Sequence, residues 1–301
     1  MKLNKEYIAY LYLILASSLW GGNVIAAKLA SIVSLEPIKL SFYRNLVAVI
    51  ILTPFIYKKF YQNRQILFKN WKIITFLCFL SGGLFNSCMN ISLNTSSVLT
   101  SSLMPAFAPA IIIILSYFIF KVQINLYQYL GVIISFIGFV CIIIKGNLVN
   151  LSNFNFVIGD LWMFAAVTGW SIYSALLRKL PQTIDIIVFL FLIFFIGNIF
   201  LLPFFIIESI NNQYFFINEN NGLLLILYVG IGPGMISFLL WVKSIKIIGP
   251  SNSGLFLNLI PVFAGTISII FLNEILEFYH IIGAILIFIG IYLVNKRIKS
   301  S

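Results

Sequence analysis

The chain has 301 residues, of which 61% are hydrophobic and 9% charged, with a mean hydropathy of +1.07; that excludes a protein that dresses its surface with charge against water and points to an integral membrane protein. The formal net charge of +11 would suit a nucleic-acid binder, but the lysines and arginines fall in small groups between apolar runs, so nucleic acid is excluded as a partner and the charge reads as membrane orientation. Cys78, Cys88 and Cys141 stand singly inside apolar runs without CxxC or Cys/His spacing, which makes them packing residues and leaves no metal or cofactor to expect.

A hydrocarbon core about 30 Å thick takes roughly 20 apolar helical residues to cross, and ten such runs follow in chain order. The first, 7–30, reads as a retained helix rather than a cleaved signal, because its apolar run is too long and no Ala-x-Ala-like site follows. It carries "SLWGGNVIAAKLA", in which Trp20, Asn23 and Ala27 share a helical face with Lys28 at its margin. The second, 37–57, contains Arg44 flanked by Tyr43 and Asn45. The third, 73–92, holds Asn86 and Asn90 at i and i+4, one stripe of amides that needs partners inside lipid. The fourth, 98–120, offers Ser101, Ser102, Pro105 and Pro109, and the fifth, 126–144, has Gly131 and Gly138 seven residues apart.

The sixth run, 157–177, contains Trp170 and Tyr173; the seventh, 186–207, is almost wholly apolar. The eighth, 223–242, includes "GIGPG" around Pro233, then Ser237 and Trp241. The ninth, 251–272, brings Asn258 and Pro261, and the tenth, 278–294, repeats the seven-residue glycine spacing at Gly283 and Gly290. Pro105, Pro109, Pro233 and Pro261 mark where helices can bend and free carbonyls toward a cavity, whereas the paired glycines read as close helix packing.

Charge orients the spans. With ten alternating spans, Lys2, Lys5, Lys58, Lys59, Arg64, Lys69, Lys72, Lys121, Arg178, Lys179, Lys243, Lys246, Lys296, Arg297 and Lys299 all fall on one face; the other holds Lys39 and Lys145 with Glu36, Asp160, Glu208, Glu219, Glu274 and Glu277. Positive residues mark the cytoplasmic side, so both termini are expected there; the high usage of Ile, Asn, Phe and Lys suggests an AT-rich bacterial genome and, with it, the cytoplasmic (inner) membrane of a bacterium. Lys28 and Arg44 are the basic residues left inside spans.

The chain also matches itself at a shift near 150 residues. "LYLILASSLWGGNVIAAKL" aligns with "LWMFAAVTGWSIYSALLRKL", pairing Trp20 with Trp170 and Lys28 with Arg178. "SSLMPAFAPAIIIILSYFIFKVQINLYQYLGVIISFIGFV" aligns with "SGLFLNLIPVFAGTISIIFLNEILEFYHIIGAILIFIGIYLV", pairing Pro109 with Pro261, Gly131 with Gly283 and Gly138 with Gly290. Five spans per copy is an odd number, so the second copy enters the membrane from the opposite side. The expected fold is an all-α integral membrane protein of ten transmembrane helices in two inverted five-helix repeats, 1–148 and 149–301, together one membrane domain. Such repeats let two halves open a central site alternately to each side.

"LWGGNVIAAKLA", "YRNLVAVIILTP", "GLFLNLIPVFAGTISIIFLNE" and "GAILIFIGIYLV", taken as a set, resemble the EamA branch of the drug/metabolite transporter superfamily over nearly the whole chain. The resemblance implies a ten-helix bundle with cytoplasmic ends, a central cavity, and export or uptake of small metabolites such as amino acids. Pro261 to Glu274 fits the family's acidic residue after the ninth span; the first copy departs from it, with Lys121 and Val122 at that place.

A charge at the centre of a span costs about 2.5–3.5 kcal/mol on insertion scales, so Arg44, two turns in, reads as facing a cavity where it would hold a substrate carboxylate or phosphate in bidentate fashion. Lys28 has two readings, an outer-end anchor or a second cation of the cavity. The substrate-lining set is Trp20, Asn23, Arg44, Asn86, Asn90, Ser101, Tyr173, Ser237, Trp241 and Asn258, with Lys28 and Trp170 at its edge. The rival role of the amides and serines is bonding between helices, and of the tryptophans an interfacial belt. No Asp or Glu lies deep in a span, so no carboxylate proton relay is expected. Glu274, Glu277 and His280 stand at spacings of three, but a single histidine makes a poor zinc site.

A secondary transporter of a small polar solute, an amino acid or related carboxylate, is the function this pattern favours. The alternative is a membrane enzyme acting on a lipid-linked substrate, which would need a catalytic cluster at the interface. A lipid bilayer and a small molecule are the expected partners; the sequence leaves oligomeric state open.

Overall fold

The computed structural model describes residues 5–121, 125–147, 157–181, 183–211 and 220–295. Lys2, Glu219, Lys296, Arg297, Lys299 and the expected repeat boundary at 148–149 lie outside them, as do the side chains of Pro109, Arg178 and Lys246.

Helix occupies each of the ten apolar stretches, and no strand occurs among the described residues. The helices are α1 (Lys5–Ile32), α2 (Pro37–Lys69), α3 (Trp71–Ser92), α4 (Val98–Phe120), α5 (Leu126–Ile143), α6 (Ile158–Leu176), α7 (Ile186–Asn211), α8 (220–254), α9 (Leu259–Leu272) and α10 (Phe278–Asn295). Seven are long and apolar enough to cross a membrane: α1 to α5, α7 and α8. The apolar helices α9 and α10 are shorter, while α6 dilutes its hydropathy with Asp160, Thr168 and two tryptophans.

Two helices outrun the hydropathy signal. The first is α2, which continues to Lys69 through "YKKFYQNRQILFK" instead of ending at 57, because Lys, Gln, Arg and Leu are good helix formers that need no bilayer. The second is α8, whose helical backbone runs on past 242 to Gly254 and passes through the 3₁₀ segment Leu255–Asn258 into α9.

Backbone irregularities recur along the chain. A π-helical stretch interrupts α3 at Phe79–Phe85 and α8 at Gly230–Ile236, 151 residues apart. A 3₁₀ segment breaks α4 at Met104–Phe107 and precedes α9 at Leu255–Asn258, again 151 apart. Lys121 and Asn273 each end a helix in the left-handed region with φ of 53°. Pro105 is the second residue of its 3₁₀ segment, Pro109 lies in the helical stretch Ala108–Phe120, Pro233 lies within the second π-stretch, and Pro261 is buried in the first turn of α9.

Helix packing follows the same exchange of α1–α5 for α6–α10. The partners of α1 are α8 and α9, as those of α6 are α3 and α4; α2 packs on α8 as α7 packs on α3, and α2–α7, α4–α9 and α5–α10 pair directly. Glycine sets two of these distances. A Cβ on Gly138 would stand 2.7 Å from the Gly283 carbonyl oxygen between α5 and α10, and one on Gly197 would stand 2.7 Å from the Gly82 carbonyl carbon between α7 and α3. The buried apolar side chains gather in one cluster around α1, α3, α4 and α6, a second around α2, α3 and α7, and a smaller one around α5 and α10.

Candidate functional site

The two π-stretches, one in α3 and one in α8, are largely buried. A π-helical turn pairs residues five apart and leaves carbonyls free of their usual donors, and buried carbonyls take other donors where they can. Here side chains supply them. Asn86 Nδ2 donates to the Ser81 carbonyl at 3.0 Å, Asn45 Nδ2 to that of Gly82 at 3.0 Å and Ser87 Oγ to that of Gly83 at 2.7 Å. On α8, Ser237 Oγ donates to the Gly232 carbonyl at 3.2 Å, and the Trp20 indole Nε1 reaches across from α1 to the Pro233 carbonyl at 3.1 Å.

Arg44 lies between these stretches. It is buried, 5% exposed, and its backbone and guanidinium run along the glycines of α8: a Cβ on Gly230 would meet the Arg44 carbonyl oxygen at 3.0 Å, and one on Gly234 would meet Nη2 at 3.7 Å. Nη1 donates to Asn86 Oδ1 at 2.6 Å. Nε is buried without a partner, and among the described residues neither ion pair includes Arg44. An uncompensated buried cation is expensive, several kcal/mol in protein interiors.

The other expected lining residues divide into groups. Trp20 and Trp241 have ring centroids 5.5 Å apart, and Trp20 touches the same π-stretch as Arg44. Trp170 lies between Phe85, at 5.1 Å, and the buried Tyr173, at 5.2 Å, with its ring tilted to both. Asn90 is tied to Ser41 Oγ at 2.8 Å, Ser101 and Ser92 hydroxyls meet at 3.3 Å, and Asn23 Nδ2 reaches Met89 Sδ at 3.8 Å; these link α1, α2, α3 and α4. Asn258, partly buried, closes the 3₁₀ segment before α9.

Lys28 stands apart from Arg44. Its Nζ donates to the Leu93 and Ser96 carbonyls, both at 3.0 Å, past the end of α3, a placement that complements the negative end of that helix. Nearby, Ser96 Oγ donates to Asp160 Oδ1 at 2.5 Å.

Sequence reasoning missed a set of acidic side chains that cap helices far away in the chain. Glu274, after α9, accepts from the Val98 amide at 2.7 Å and the Leu99 amide at 3.0 Å, at the start of α4. Glu208, near the end of α7, accepts from the Lys39 amide at 2.8 Å and the Ile38 amide at 3.4 Å, at the start of α2. First-turn amides lack partners within their own helix, so a carboxylate satisfies both hydrogen bonding and the helix dipole. His280 belongs to the same end. Its Nδ1 accepts from the Glu277 amide at 3.2 Å, and its Nε2 lies 3.3 Å from Thr100 Oγ1; no group of three His, Cys, Asp or Glu with metal-site geometry occurs among the described residues. Asn45 was missed as well, its only signal being its place beside Arg44.

The model of the EamA-like transporter family matches residues 7–144 and 157–296. The chain belongs to this family. Relatives named uncharacterized transporter agree with it along nearly their whole length. One from Archaeoglobus fulgidus is 25% identical over 288 residues, covering 96% of this chain and 97% of its own. YetK of Bacillus subtilis is 24% identical over 297 residues, covering 98% and 89%, and one from Clostridium kluyveri is 24% identical, covering 93% and 91%. A solved crystal structure, 16% identical, superposes on 95% of this chain and 96% of its own with a TM-score of 0.58, a likeness of fold alone. The EamA-like chain is thus a multi-pass membrane transporter, and its apolar helices, its paired irregularities and its buried arginine are features of one membrane-embedded bundle.

Proposed function

We propose that this EamA-like protein is a secondary transporter that moves a small polar organic solute bearing a carboxylate, an amino acid or a related compound, by alternating access between two inverted five-helix halves, 1–148 and 149–301. The membrane is the cytoplasmic membrane of a bacterium with both termini inside, a reading supported by the lysines and arginines gathered on one face. Arg44 carries the substrate reading: a buried guanidinium with one amide partner and an idle Nε offers an incoming carboxylate a charge-assisted pair of hydrogen bonds. The matching π-stretches of α3 and α8 and the exchange-symmetric packing support two halves of one design around it.

The test is uptake and counterflow in proteoliposomes with a panel of labelled amino acids and des-amino carboxylates. Accumulation of at least one carboxylate by the wild type, and none by Arg44→Ala inserted at the same level, is the expected result. No transport of any panel member by the wild type, or equal transport by both proteins, overturns the reading.

A further inference from the structure

The last three turns of α2 are an amphipathic element that the transport reading does not use. At 33 residues, α2 is about 50 Å long, well beyond the roughly 20 residues that a hydrocarbon core requires. Its depth is fixed by α7. Lys59 Nζ pairs with Asp185 Oδ2 at 2.9 Å, and the Asp185 amide donates to Asn63 Oδ1 at 3.2 Å, just before the apolar run of α7 begins at Ile186. Only Asn70 then separates Lys69 from Trp71, where α3 returns into the bundle. Lys59 and Asn63 are therefore held level with the start of the apolar run of α7, where the hydrocarbon gives way to headgroups.

At 100° per residue these positions sort into three arcs. Lys59, Asn63, Ile66 and Leu67 form the arc packed on the protein, partly or fully buried. Tyr57, Phe60, Tyr61, Arg64 and Phe68 form a second, exposed arc, with Tyr57 at 87%, Tyr61 at 62% and Phe68 at 74% exposure. Lys58, Gln62, Gln65 and Lys69 form a third, wholly polar and exposed. A helix end standing in water has no cause to keep four aromatic rings on one arc. Aromatic rings with a polar edge settle at the headgroup level, and a basic flank adds attraction to anionic lipid of about 1 kcal/mol per Lys or Arg. The cations are held within reach: the Arg64 guanidinium lies 3.9 Å over the Tyr61 ring and Lys72 Nζ lies 5.8 Å from the Trp71 ring.

We infer that residues 57–72 form a docking face for anionic phospholipid headgroups, with the Tyr57–Tyr61–Phe68 arc set into the membrane interface and Lys58, Arg64, Lys69 and Lys72 pairing with lipid phosphates. The face lies apart from Arg44 and serves to fix the depth of the α2–α3 turn.

Single spin labels at positions 61, 68, 62 and 65, in a background with Cys78, Cys88 and Cys141 changed to Ala, test the face in nanodiscs of pure phosphatidylcholine or with 30% phosphatidylglycerol. Collision with oxygen should exceed collision with a water-soluble nickel chelate at 61 and 68, the order should reverse at 62 and 65, and the contrast should grow with phosphatidylglycerol. Uniform access to the chelate at all four positions, or no change with lipid charge, overturns the inference. Native mass spectrometry of the cysteine-intact protein is the second measurement: wild type should retain phosphatidylglycerol over phosphatidylcholine, and K58Q/R64Q/K69Q/K72Q should lose most of that preference. Retention unchanged in the fourfold variant also overturns it.

Discussion

Arg44 Nη1 donates to Asn86 Oδ1 at 2.6 Å, and Asn86 turns its own Nδ2 to the Ser81 carbonyl at 3.0 Å. The amide is thereby oriented by the π-stretch of α3, and it in turn orients the guanidinium. Asn86→Asp would place a carboxylate where the amide oxygen now lies, giving Arg44 a built-in counter-ion. Because a partner that is always present competes with one that must come from solution, transport should fall by tenfold or more, while thermal stability in detergent should hold or rise. Asn86→Ala separates the effects: it leaves Arg44 with no partner, so both transport and stability should fall, the latter by about 1.5–3 kcal/mol for a hydrogen bond to a charged group.

The Glu274 carboxylate, just after α9, holds the first amides of α4. In an alternating-access cycle, bonds between the two halves at one end must break for that end to open. Glu274→Ala should raise hydrogen exchange across residues 97–101 by tenfold or more, without changing exchange at residues 38–40, where Glu208 performs the same role for α2. Glu208→Ala should give the reverse pattern. Exchange rising at both places in both variants would mean general loosening rather than two separate capping contacts.

The apolar runs were legible because the bilayer imposes a length on them, and each contains helix. Helix ends were less so: hydropathy reports where lipid stops, whereas "YKKFYQNRQILFK" continues hydrogen bonding beyond it. Arg44 stood out as a cation within a span, yet its amide partner could have been Asn86 or Asn90, and only packing assigned Asn90 to Ser41. "GIGPG" advertised an irregular α8, but its counterpart in α3, with Gly82 and Gly83 and no proline, gave no comparable sign. The caps by Glu208 and Glu274 join residues about 170 positions apart, a distance at which sequence spacing carries no information.

Asp185 offers a pH-dependent contact outside the spans. Burial works against its charge, but the hydrogen bond from Lys59, the Ile187 and Val188 amides and the Lys59 charge outweigh it and hold the carboxyl below its usual range. A depressed folded value means that the contact stabilises at any pH above the unfolded value, near 3.9, and is lost only as pH falls through the still lower folded one. Wild-type and Asp185→Ala proteins should therefore differ by a constant amount from pH 5 to 8, about 0.5–2 kcal/mol from loss of the helix cap. Their melting temperatures should converge below pH 4. Asp185→Asn keeps a capping oxygen and should recover most of the difference.

Gly138 and Gly83 make a paired test of how closely the helices approach. A Cβ on Gly138 would stand 2.7 Å from the Gly283 carbonyl oxygen, 2.8 Å from Leu286 Cβ and 2.9 Å from the Ile287 nitrogen, two of them backbone atoms that cannot swing aside. On Gly83 the nearest atoms, at 3.5 to 3.9 Å, are at ordinary contact distance. Gly138→Ala must part α5 from α10, at a cost of about 1–3 kcal/mol typical of overpacking, whereas Gly83→Ala should be neutral or slightly stabilising, since alanine restricts the unfolded chain more than glycine does. Thermal unfolding of the two variants in the same detergent measures the contrast. Equal melting temperatures would show that the α5–α10 pair can separate without loss, and that its close approach does not hold the two halves together.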